Sequence, residues 1–160
     1  MGRVVGEAEL ETMLRDAREV GRRIVLTNGC FDILHPGHLA YLRAARRLGD
    51  LLVVGVNTDD SAARLKGPGR PLVAAEDRAE MLAALEPVDL VVLFAEIRAD
   101  ELMRRVQPDV YVRGGDYSPD SLPEAETAAG LGIKLRMVDY QRGYSTTALL
   151  DRVRETSTNG

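Results

Sequence analysis

An α/β fold with a parallel sheet is predicted by three features of the 160-residue sequence. Strand-like and helix-like segments alternate along it, the pattern of a sheet covered by helices. The strand-like segments, such as Leu51-Leu52-Val53-Val54-Gly55-Val56, are continuous apolar runs, as strands buried on both faces require. The length suits one domain with one core. The expectation is a single-domain, Rossmann-like sheet of about five strands with helices on both faces.

The elements follow in order. Residues 7–20 carry Leu10, Met13, Leu14 and Ala17 at helical spacing. A first helix is therefore expected to pack on the domain within residues 1–22. The domain proper spans 23–155, and 156–160 form a frayed tail. Ile24 to Thr27 is the first strand. Pro36 opens a helix to about Leu48, with Gly49 as its stop. Leu51 to Val56 is the second strand, followed by a mobile-looking segment from Arg64 to Pro71. Helices are predicted over 76–85, 99–106, 124–130 and 146–155, and strands over 88–94, 110–112 and 133–138. In such sheets ligands bind beyond the carboxyl ends of the strands. The loops 27–38, 57–71, 113–119 and 139–146 hold the unusual residues of the chain.

Composition narrows the classes. A hydrophobic fraction of 45% and a charged fraction of 29% belong to an ordinary globular chain. The net charge of −4 lacks the basic surplus of a general nucleic-acid binder. The sole cysteine, Cys30, forbids an internal disulfide and fits a reducing compartment. No apolar run approaches membrane-spanning length and no signal peptide is evident, so a cytoplasmic protein without nucleic-acid or membrane partners is expected.

The only two histidines, His35 and His38, flank Pro36-Gly37. With Pro36 at the first helical position, His35 becomes the N-cap and His38 falls in the first turn. A helix N-terminus offers free N–H groups and a partial positive charge, and Gly37 permits close approach to the backbone. The pair thus reads as a phosphate site. A metal site is disfavoured because no third ligand lies nearby, so no protein-held metal is expected.

The stretch Gly29-Cys30-Phe31-Asp32-Ile33-Leu34-His35-Pro36-Gly37-His38 resembles the G-x-F-D-x-x-H-x-G-H signature of the cytidylyltransferase-like nucleotidyltransferase superfamily. Four further segments sharpen the resemblance: Thr27-Asn28, Arg64-Leu65-Lys66-Gly67 with Arg70-Pro71, Gly114-Gly115-Asp116-Tyr117 and Gly143-Tyr144-Ser145-Thr146-Thr147. Their order is that of D-glycero-β-D-manno-heptose 1-phosphate adenylyltransferases, which often form half of a bifunctional kinase–adenylyltransferase. This chain would be a stand-alone version. It departs in carrying Arg113 where that family usually has lysine. Glycerol-3-phosphate cytidylyltransferases are also similar, but the arginine of their Arg-Thr-Glu-Gly segment has no counterpart in Tyr140-Gln141-Arg142-Gly143.

The resemblance implies transfer of AMP from ATP to a sugar 1-phosphate, most closely D-glycero-D-manno-heptose 1-phosphate. The alternatives are a cytidylyltransferase acting on an alcohol phosphate, an adenylyltransferase of the FAD synthetase kind, and a nucleotide-binding module without catalysis. Such transfer needs two anions held together and their charge neutralised. His35, His38 and Lys66 are the expected catalytic groups. Asn28, Gly29, Cys30, Phe31, Gly37, Arg113, Gly114, Asp116, Tyr117, Ser145, Thr146 and Thr147 are expected around the nucleotide. Asp32, Arg70 and Arg78 are expected at the second substrate, Asp32 through sugar hydroxyls or a hydrated Mg²⁺. Mg²⁺ is expected as the ATP counter-ion. A homodimer rests on the resemblance alone.

Overall fold

The computed structural model describes residues 1–115, 118–139 and 144–159. Its core is a six-stranded, wholly parallel sheet, one strand more than expected. The strands are β1 (Arg3–Val4), β2 (Ile24–Gly29), β3 (Leu51–Asn57), β4 (Leu90–Phe94), β5 (Val110–Gly114) and β6 (Lys134–Val138). The extra strand is β1, which extends the sheet edge by pairing Arg3 with Leu90 and Val4 with Val91. Two residues carry no readable period, so the N-terminal segment was expected to hold a helix only.

The helices are α1 (Glu7–Glu19), α2 (Pro36–Arg46), α3 (Asp59–Lys66), α4 (Ala75–Ala83), α5 (Asp100–Val106), α6 (Ala125–Gly130) and α7 (Thr146–Thr158). Two expectations are corrected here. The segment after β3 is not an open loop, because Thr58 caps α3 by accepting from Ser61 N, and Asp59 and Asp60 complement the helix N-terminus. Gly67, at φ 96°, ends that helix directly after Lys66. The supposed tail is helical to Thr158, where hydroxyls of Thr156, Ser157 and Thr158 bond back to carbonyls of the preceding turn.

Each face of the sheet has its own core. Ile24, Leu26, Val53 and Tyr111 face α1 and α5, meeting Leu10, Leu14, Leu102 and Met103. Val25, Leu52, Val54 and Val112 face α2 and α4, meeting Leu42, Ala45, Ala79 and Leu82. Period-two alternation along strands that are apolar throughout accounts for both layers. Complete burial of each such leucine or valine contributes about 1.5–3 kcal/mol of transfer free energy. No helix among the described residues is long and apolar enough to cross a membrane.

The strand order is β1-β4-β3-β2-β5-β6. The chain moves from β2 outward through β3 to β4, then returns to the other side of β2 for β5. The order therefore reverses between β2 and β5, where the connecting segments part and leave a crevice at the carboxyl ends.

Candidate active site

A cavity of about 470 Å³ occupies that crevice. Asn28 and Gly29 reach it from β2, Asn57 from β3, and Arg113 and Gly114 from β5, with Cys30, Phe31 and His38 on the turn into α2. A second hollow of about 320 Å³ adjoins it, lined by His35, Tyr144, Ser145 and Thr147. The two share His38, Lys66, Arg70 and Thr146. Residues far apart in sequence thus put four donor groups where the hollows meet.

The turn after β2 aims the histidines. Phe31 takes the left-handed conformation, with φ 49°, and its ring is buried beside His38 at a centroid distance of 5.3 Å. His35 caps α2, and its Nδ1 accepts from His38 N at 3.3 Å. In the neutral ring that bond leaves the proton on Nε2, so His35 offers a donor from its far edge. The imidazoles stack at 3.8 Å and 23°. Gly37 lies beneath them, where an added Cβ would meet His35 Cε1 and Nδ1 at 2.9 Å and Tyr144 Cβ at 3.0 Å. Its service is to make room for the ring; Gly37 itself is buried and lines neither hollow.

Burial, with the nearby charges of His35 and Lys66, lowers the His38 pKa to about 4. Burial lowers that of His35 as well. Without an anion both rings are therefore neutral near pH 7. Burial raises the Cys30 thiol above its ordinary value, which leaves it protonated and unsuited to nucleophilic work. Ser145 caps α7 by accepting from Ala148 N at 3.0 Å. That leaves Thr146 and Thr147 at the helix start, facing the second hollow.

Two residues expected at the second substrate do other work. Arg78 lies on α4 with its side chain completely covered and lines neither hollow. Its Nε donates to Val73 O (2.8 Å), Nη1 to Cys30 O (2.5 Å) and Nη2 to Asp59 (2.8 Å). It is a buried fastening between the His35 turn, the start of α3 and the Arg70 loop, neither a substrate ligand nor part of a solvated helix face. Asp32 sits at the cavity wall with its side chain 2% exposed. It accepts from Arg70 Nε (2.7 Å), Leu72 N (2.9 Å) and Val73 N (2.9 Å). Its lone pairs are committed to the Arg70 loop and not to sugar hydroxyls or a hydrated cation.

Asn28, Gly29, Cys30, Phe31, Arg113, Gly114, Ser145, Thr146, Thr147, Lys66 and Arg70 all stand at the hollows as expected. Asp116 and Tyr117 lie outside the described residues. Asn57, Leu65, Ile97, Arg98, Pro123 and Glu124 also line the cavity and were not anticipated. Asn57 ends β3, and Ile97 and Arg98 follow β4, so the strand-end rule extended to the β4 loop would have found them. Nothing local marks Pro123 or Glu124.

An α/β domain with paired histidines at a helix start, and lysine, arginine and a second helix N-terminus facing them, is the arrangement of a nucleotidyltransferase. Residues 26–152 match the family model described as cytidylyltransferase-like, and the chain belongs to that family of enzymes. It is 49% identical to the "Bifunctional protein HldE" of Alcanivorax borkumensis over 95% of its own length. Against the protein of that name from Rhodopseudomonas palustris it is 47% identical over 98%. In both cases it spans 32% of the relative. Among solved structures it is similar to a lipopolysaccharide core biosynthesis protein from Thermoplasma volcanium, at 31% identity and a TM-score of 0.63. That likeness covers 78% of this chain and all of the other.

Proposed function

We propose that this enzyme transfers AMP from ATP to a sugar 1-phosphate, D-glycero-D-manno-heptose 1-phosphate, giving ADP-heptose and pyrophosphate by direct in-line displacement. The observation that carries the reading is the meeting of His38, Lys66, Arg70 and Thr146 where the two hollows join. The attacking oxygen is a phosphate oxygen and already anionic, so no general base is needed. What is needed is neutralisation of two anions and of the departing pyrophosphate. Neutral, stacked imidazoles bind a phosphate chain by donating from ring N–H groups, and the bound anion then favours their protonation. Lys66, at the end of α3, is placed for the transferring phosphate. Mg²⁺ would enter on the ATP phosphates and supply further charge neutralisation. With Asp32 committed to Arg70 and the loop amides, the cation's other ligands would be water.

The heptose assignment is supported by the resemblance of the Asn28, Lys66, Gly114 and Ser145 segments. The names of the matched relatives agree with it, one of them placing a similar chain in lipopolysaccharide core biosynthesis. The test of the site is steady-state pyrophosphate release by His38→Ala and Lys66→Ala. Loss of a group that stabilises transition-state charge lowers kcat about a hundredfold or more. Turnover within about threefold of wild type would remove that residue from the role, since so small a loss is not that of a transition-state contact.

A further inference from the structure

Tyr111 lies in the middle of β5 with no exposed surface, yet its hydroxyl reaches the base of the cavity. There it bonds Asn28 Oδ1 at 2.5 Å. The Arg113 guanidinium hydrogen-bonds the same hydroxyl. Arginine has donors and no acceptor, so the phenol oxygen accepts from Arg113 and its own proton goes to Asn28. A carboxamide whose oxygen is taken from below must turn its NH2 the other way. Asn28 lines the cavity, and among the described residues its Nδ2 has no protein partner.

We propose that Tyr111 is a positioning residue that locks the Asn28 amide with its NH2 facing the cavity, where it donates to an acceptor atom of the bound nucleotide. The proposal rests on the nucleotidyltransferase reading and adds a polarity to it: this point of the site gives hydrogen bonds and does not take them. Arg113 completes the chain of donors from behind, so a residue at the cavity wall and a residue in the core jointly fix one amide rotamer. A freely rotating amide would present oxygen or nitrogen with similar ease, and half of its orientations would oppose an acceptor.

The discriminating substitution is Asn28→Asp, which keeps the shape. Tyr111 still holds one oxygen, and the other replaces the NH2 with a negative acceptor. Nucleotide affinity by calorimetry, and kcat/KM by pyrophosphate release, should both fall more than about tenfold, the scale of a lost bond with its partner left unpaired. Tyr111→Phe should raise the nucleotide KM severalfold while the melting temperature stays close to wild type. Tyr111→Phe added to Asn28→Ala should cost nothing more, because its effect passes through that amide. Unchanged affinity in Asn28→Asp would overturn the proposal, as would additive losses in the double variant. Each of the four common nucleoside triphosphates is offered to the wild type first. A preference for another nucleotide would count against the ATP assignment, and the variants would then be compared with that nucleotide.

Discussion

Asp32 and Arg78 grip the same residue from opposite sides: Val73 donates its N–H to Asp32 Oδ1 at 2.9 Å, and its carbonyl accepts from Arg78 Nε at 2.8 Å. The two ionic side chains come from different segments, one following β2 and one within α4. Through Val73 and Leu72 they hold the loop that carries Arg70, and through Cys30 and Asp59 they tie it to the histidine turn and to the helix that ends in Lys66. The cationic groups of the site therefore share one buried frame, which limits the reorganisation required when an anion arrives.

Arg78→Met tests that frame. It leaves the carbonyls of Cys30 and Val73 buried without donors, at a cost of about 3 kcal/mol. Urea denaturation should show the loss as a lower midpoint with an unchanged slope. A substrate-binding arginine would instead raise KM and leave the midpoint where it was.

Asp32 sets the acid limit of the same frame. Burial alone would raise its pKa, but the N–H groups of Leu72 and Val73 and the charge of Arg70 outweigh burial and hold it below the ordinary carboxylate value. A depressed carboxylate contributes stability that is present above its unfolded pKa and is lost as pH falls through the folded one. Asp32→Asn should thus be less stable at pH 7 and lose less on going to pH 3. Parallel curves for the two proteins in a denaturation series would contradict the assignment.

The histidines predict the opposite limb. His38 titrates near 4 in the folded chain, below its value of about 6.5 when unfolded. The unfolded chain then binds more protons between those values, so the ligand-free protein should lose stability as pH falls from about 6.5 to 4. His38→Asn should flatten that decline. Nucleotide binding near pH 6 should take up protons, because the phosphate charge raises the pKa of both rings. Calorimetric titrations in buffers of different ionisation enthalpy measure the uptake, and buffer-independent heats would argue against protonation of the pair.

Gly37→Ala probes the stacked geometry without removing a charge. Its methyl would lie within 2.9 Å of the His35 ring, so either the ring leaves the stack or the first turn of α2 shifts. Turnover should fall about tenfold or more, since misplacement of an oriented group by an ångström is that costly. Circular dichroism should remain that of the wild type.

How much of this was legible in the sequence depended on distance along the chain. The His35–His38 pair could be read because its geometry is local: proline at the first helical position and glycine two residues on dictate a helix start. The apolar strands could be read for the same reason, since burial on both faces leaves a continuous run. Asp32 and Arg78 could not be placed, because their partners stand 38 to 48 residues away and a single charged letter does not state whether it is buried. β1 escaped because two residues show no period, and α3 because an Arg-Leu-Lys-Gly-Pro-Gly run looks like open loop when its Thr58 cap is overlooked.

The most direct test follows the α-phosphate itself. The chain is incubated with Mg²⁺, D-glycero-β-D-manno-heptose 1-phosphate and ATP labelled at the α-phosphorus, and the products are separated. The account predicts that label appears in ADP-heptose, with one pyrophosphate released for each label transferred. Retention of label in ATP, alongside pyrophosphate release from CTP and glycerol 3-phosphate, would contradict it.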